Sequence, residues 1–135
     1  MNLKLRLAIV VLLSAAVFAG GVALEHAAEP GAAEPVLGIN PESPMLVTTA
    51  ITISVLLAVA LSLRSTSLVL AIAGAFGLIF AIVDGLEILH QLQEHRPSLV
   101  AIATLATLFH LAITVLAIVI MRSTSAGILK QGLRM

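Results

Sequence analysis

Few residues in this chain could do chemistry, and most of them gather in one stretch. Asp84, Glu87 and His90 recur at intervals of three. At about 100° per residue, that spacing keeps all three within one broad face of a helix. A second imidazole, His110, lies beyond a short polar break at Pro97, and Glu25 ends an earlier apolar run. Asp84 stands 13 residues before Pro97 and His110 stands 13 residues after it. If the flanking segments are helices folded back on one another, both residues lie about 20 Å from the turn and can meet.

Three uses compete for a cluster of Asp84, Glu87, His90 and His110, with Glu25 as a further contributor. Carboxylate oxygen with imidazole nitrogen is a donor set for Zn²⁺, Mn²⁺ or non-haem iron, and two His with one carboxylate would make a mononuclear site. Glu87-Ile88-Leu89-His90 also has the Glu-x-x-His form of di-iron bundles. That centre needs two such elements and two more Glu, so it is not expected. An intramembrane carboxyl beside an imidazole is also the usual material of a proton relay. The third use is structural: a buried Asp84–His110 pair that fixes helix register or docks a partner. The structural use leads.

The cofactor is left open, with a divalent metal as the candidate. Haem fits less well, because His90 and His110 lie 7 and 13 residues from Pro97. Their levels would differ by about 9 Å, which is poor for two axial ligands of one iron. His26 with His90 fits better, although His26 reads more simply as a solvated loop residue. His95, between Glu94 and Arg96, reads as solvated. The chain has no Gly-x-Ser-x-Gly elbow, no His-Glu-x-x-His and no phosphate-binding glycine loop. It has no cysteine either, which excludes disulfides, thiolate metal sites and a thiol nucleophile.

The elements that must position these residues are read from composition. The chain has 135 residues, of which 60% are hydrophobic and 10% charged. Soluble domains carry about 25% charged residues, so this chain lacks the polar surface for a water-facing shell. A bilayer core needs about 20 apolar residues per helix. Four stretches meet that need: Leu5–Leu24, Met45–Leu63, Ser67–Gln91 and Ser98–Met121. Between the first two, the segment from Glu25 to Pro44 holds four of the five prolines and reads as a polar loop. Leu63-Arg64-Ser65-Thr66 reads as a tight turn, and Glu94-His95-Arg96-Pro97 closes the last hairpin with Pro97 at a helix start.

With four spans, Lys4, Arg6, Arg64, Arg122, Lys130 and Arg134 share one side and only Arg96 lies on the other. The positive-inside rule then places both termini in the cytoplasm of a cell membrane. Lys4 and Arg6 ahead of an apolar run also resemble a signal peptide. The 18 residues of Leu7–Leu24 exceed the usual apolar core of about 7–15, so a retained first helix is expected.

Helices in lipid pack through small and polar residues, which therefore mark inward faces. On the third span these are Ala73, Gly77, Ala81 and Gly85, and the same rhythm runs through Phe80 to Asp84, Glu87, Gln91 and Glu94. The fourth span offers Ala103, Thr107, His110, Thr114 and Ala117. The second offers Thr48, Thr52, Val55, Val59 and Ser62, and the first Ser14, Phe18, Gly21 and Glu25.

The expected fold is thus all-α: residues 1–135 as a single integral-membrane domain, a four-transmembrane-helix bundle with both termini cytoplasmic. The expected role is a non-catalytic subunit or accessory protein of a larger membrane complex. Its partners would be the lipid bilayer and other membrane subunits or a second copy, with no nucleic acid. The alternative, of another class, is a metal- or proton-handling membrane protein, such as an oxidoreductase subunit, using Asp84, Glu87, His90 and His110.

Overall fold

A computed structural model describes residues 2–28 and 43–132, with side chains to Ala27 in the first segment and, Leu46 apart, to Thr124 in the second. Four helices follow one another: α1 (Leu3–Ala28), α2 (Pro44–Leu63), α3 (Ser67–Gln93) and α4 (Pro97–Gly132). Three of them, α1, α3 and α4, are long and apolar enough to cross a membrane, and α2 is shorter, with an apolar run of Val47–Leu63. Glu25 and His26 belong to the last turns of α1, not to a loop. Residues 29–42 of the expected Pro-rich loop lie outside the described residues. The fourth helix continues past Met121 to Gly132.

Each short connection has a local cause. Pro44 and Pro97 open α2 and α4, where the missing N–H would have had no helical partner. Thr66 caps α3, its hydroxyl accepting from the Val69 N–H at 3.3 Å. The end of α3 is closed by His95, which adopts φ 58°, while the Arg96 N–H donates to the Gln91 carbonyl and the His95 N–H to that of Leu92. Those two bonds with a left-handed residue between them form a Schellman closure, with His where glycine is commoner. A turn that tight brings α4 directly back along α3.

The α3–α4 hairpin is the most extensive contact in the bundle; α1 packs against both α4 and α2, and α2 touches α3 only lightly. The buried residues of α4, Leu99, Ala103, Ala106, His110, Ile113, Ala117 and Ile120, step alternately by four and three, the rhythm of a left-handed heptad seam. In α1 the seam starts at Leu7 and Val11 and runs through Ser14 to the half-buried Phe18, Gly21 and Glu25. Aliphatic residues fill the half of the bundle near the α2–α3 turn, where Leu7, Val11, Leu57, Leu61, Leu70, Ile113 and Ile120 meet. The half near the α3–α4 turn holds the polar side chains.

The second helix departs from its expected face. Thr48, Thr52, Val55, Val59 and Ser62 are all exposed, and Ser54, Leu57, Ala58 and Leu61 are buried instead. The reason is local: Thr52 donates to the Thr48 carbonyl and Ser62 to that of Ala58, so each hydroxyl is satisfied by its own helix and can face outward. On α3, Ala73, Gly77 and Ala81 are buried as expected, whereas Gly85 is only half-buried.

Outward faces carry Leu56, Ile79, Ile82, Leu89, Leu108 and Val115, all exposed. Soluble monomers rarely expose apolar patches beyond a few hundred Å². This is the surface of a multi-pass membrane protein, and it meets lipid.

Candidate functional site

Asp84 and His110 meet in the α3–α4 interface. His110 Nδ1 lies 2.6 Å from Asp84 Oδ2, with His110 3% and Asp84 9% exposed. The equal count from Pro97 brings them near one level, and side-chain direction completes the contact. Each side chain leans toward the N-terminus of its own helix, so on antiparallel helices the two lean toward each other. An Asp facing hydrocarbon would cost about 2.5–3.5 kcal/mol, and the pairing removes that exposure.

What lets the helices approach is absence of side chain on α3. A Cβ on Gly77 would stand 2.6 Å from the His110 carbonyl oxygen and 2.6 Å from Thr114 Oγ1. One turn further along, a Cβ on Gly74 would make ordinary contact with the Ala117 methyl at 3.6 Å. The Thr114 hydroxyl lies 3.2 Å from its own helix's His110 carbonyl and 3.2 Å from the Gly74 carbonyl across the interface. The glycines thus set the spacing at which the Asp84–His110 bond closes.

Phe76 and Phe80 pack against the imidazole, their ring centres 5.8 and 5.3 Å from it. A small cavity of about 10 Å³ adjoins it, lined by Ser14, Phe18, Ala50, Ser54, Phe80 and His110 among others. That is near the lower limit for one water molecule. Ser14 and Ser54 donate to the carbonyls of Val11 and Ala50, which leaves both hydroxyl oxygens able to accept. The cavity therefore places two hydroxyl-bearing side chains beside the imidazole.

The remaining candidates form separate contacts. Glu87 accepts from Gln91 Nε2 at 2.6 Å, and the same nitrogen lies 3.4 Å from Glu25 Oε1 on α1. His90 pairs with Glu94 one turn on, at 3.4 Å, and Arg96 lies 3.0 Å from the other oxygen of Glu94. His26 and His95 are exposed. Among the described residues, no three of His, Asp and Glu converge as a metal-holding group. The contact between Asp84 and His110 was legible from spacing. Ser14 and Gln91 were expected on inward faces and are buried there, but their contacts were not legible, and Phe76 and Ser54 were not marked at all.

Comparison with known proteins finds no matching family model, no similar curated protein and no similar solved structure. Function has to be read from the site alone.

Proposed function

We propose that this chain is an integral-membrane protein with four spans and both termini in the cytoplasm, acting as a non-catalytic subunit of a larger membrane complex. The observation that carries the reading is the uneven closure of the bundle: α2 is held by α1 and hardly meets α3. Meanwhile polar side chains within it are engaged in helix–helix contacts, as in Asp84 with His110 and Gln91 with Glu25. Buried pairs of this kind are best attested as devices that set register. Small residues and hydroxyls drive association in lipid, and the exposed Thr48, Thr52 and Ser62 stripe on α2 is suited to a helix of another subunit. Purification in mild detergent tests this: a stoichiometric membrane partner is expected, and a lone, stable monomer would defeat the reading.

A second reading has its own support. The cavity beside His110 puts two hydroxyl-bearing side chains next to an imidazole that is itself bonded to a carboxyl, which is the material of a proton relay. Proton flux into liposomes, compared between wild type and Asp84→Asn, tests it; equal flux in both removes it.

A further inference from the structure

The end of the bundle at the α2–α3 turn carries charge of one sign. Lys4 and Arg6 lie at the start of α1, Arg64 ends α2 and Arg122 lies on α4, all of them exposed. Leu3, Leu7, Leu61 and Met121, which share one aliphatic cluster, stand within three residues of them in turn. At 1.5 Å per residue the four cations therefore form one layer within about 5 Å of that cluster. None of them makes an ion pair among the described residues. Every described acid, Glu25, Asp84, Glu87 and Glu94, lies toward the α3–α4 turn instead. Asp84 is 14 residues from Leu70 of the same cluster, about 20 Å along α3. That is about twice the screening length at physiological salt, so it does not offset them.

Two of the four continue packed faces. The buried seam of α1 steps back from Ser14 through Val11 and Leu7 to Lys4, and that of α2 runs from Ser54 through Leu57 and Leu61 to Arg64. Those helices pack together and run in opposite directions, so Lys4 and Arg64 both emerge about 5 Å beyond the leucines at the same end. An anion between them would be held from two helices. Beside them stand Leu5, Leu63 and Leu68, exposed and apolar. A layer that sets cations next to leucines fits an anion joined to hydrocarbon, whereas free phosphate would leave the leucines unused. The 27 residues of α3 span about 40 Å against a bilayer core near 30 Å, so the turn at Arg64 reaches the headgroup level.

We propose that Lys4 and Arg64, supported by Arg6 and Arg122, bind the phosphate of one anionic phospholipid whose acyl chains lie on the leucine-bearing faces. A guanidinium takes phosphate oxygens two at a time, and the ammonium adds a compact charge. The site asks only that this end meet a headgroup layer. It therefore holds for either orientation of the chain and does not rest on the subunit reading.

The test uses the full chain in dodecylmaltoside, titrated with phosphatidylglycerol or with phosphatidylcholine of the same acyl chains and followed by native mass spectrometry. Phosphatidylglycerol is expected to bind at one per chain and at least about tenfold more tightly than phosphatidylcholine. The double variant Lys4→Gln, Arg64→Gln weakens phosphatidylglycerol by at least about tenfold, and Arg96→Gln, at the opposite end, leaves it unchanged. Equal affinity for the two lipids, or a double variant that binds as tightly as Arg96→Gln, overturns the proposal. Excess inorganic phosphate at constant ionic strength does not displace the lipid; displacement would assign the basic residues to a free anion and overturn it as well. Should the double variant lose its helical circular dichroism, the wild type decides. Raising NaCl from about 50 to about 500 mM weakens phosphatidylglycerol binding several-fold if the proposal holds, and binding indifferent to salt overturns it.

Discussion

Gly77→Ala should harm this protein although alanine is the better helix former. The added methyl would lie 2.6 Å from the His110 carbonyl oxygen, 2.6 Å from Thr114 Oγ1 and 3.0 Å from the Thr114 nitrogen. Two of those atoms are backbone, so no side-chain rotation relieves the contact and α4 must retreat by about 0.8 Å to restore van der Waals distance. The same retreat lengthens the Asp84–His110 bond, now 2.6 Å, toward the outer limit of hydrogen bonding. Overpacking costs about 1–3 kcal/mol and a weakened charged hydrogen bond about 1.5 kcal/mol, against about 1 kcal/mol returned by alanine's helix propensity. The net loss is about 1.5–3.5 kcal/mol. Gly85→Ala, two turns along the same helix, meets nothing within 4 Å and keeps only the propensity gain of about 1 kcal/mol. Identical substitutions should therefore move stability in opposite directions. Reversible unfolding in mixed dodecylmaltoside–SDS micelles measures this, followed by far-ultraviolet circular dichroism because the chain has neither Trp nor Tyr. If Gly77→Ala is as stable as wild type, or the two variants shift alike, close approach at Gly77 does not set the α3–α4 spacing.

Other expectations can be checked by the same unfolding assay or by cross-linking. Asp84→Ala leaves His110 buried without its partner and should cost about 3–5 kcal/mol, whereas Asp84→Leu with His110→Leu together should cost less than either single leucine change; a double variant worse than both would show that the pair does more than neutralise itself. Gly74→Cys with Ala117→Cys should oxidise to a disulfide, since the two Cβ positions lie 3.6 Å apart and the chain has no other cysteine. Free thiols persisting after oxidation would place the register elsewhere. Thr48→Val and Thr52→Val should change stability by no more than about 0.5 kcal/mol, because both face outward. Ser54→Leu should lose about 1–3 kcal/mol, because the cavity beside Ser54 holds only about 10 Å³. His95→Gly should gain about 0.5–1 kcal/mol by relieving the left-handed φ of 58°, and an unchanged midpoint would mean that the turn carries no strain.

Composition and periodicity by themselves determined the helical class, the membrane setting and the helix limits to within a few residues at most ends. Apolar runs of spanning length, broken by proline and polar residues, admit no other regular structure, since lipid leaves backbone groups no outside partner. Spacing also determined that Asp84 and His110 share a level, because the α3–α4 turn is too short to permit another register. Tertiary structure alone decided which stripe of α2 is buried. Thr52 and Ser62 satisfy their hydroxyls within their own helix and lipid accepts leucine as readily as a protein core does, so neither polarity nor apolarity marked the inner face. The meeting of Glu25 with Glu87 through Gln91 was likewise invisible in one dimension. It depends on how α1 leans across the α3–α4 hairpin, and residues 66 apart in sequence carry no periodicity that records that lean.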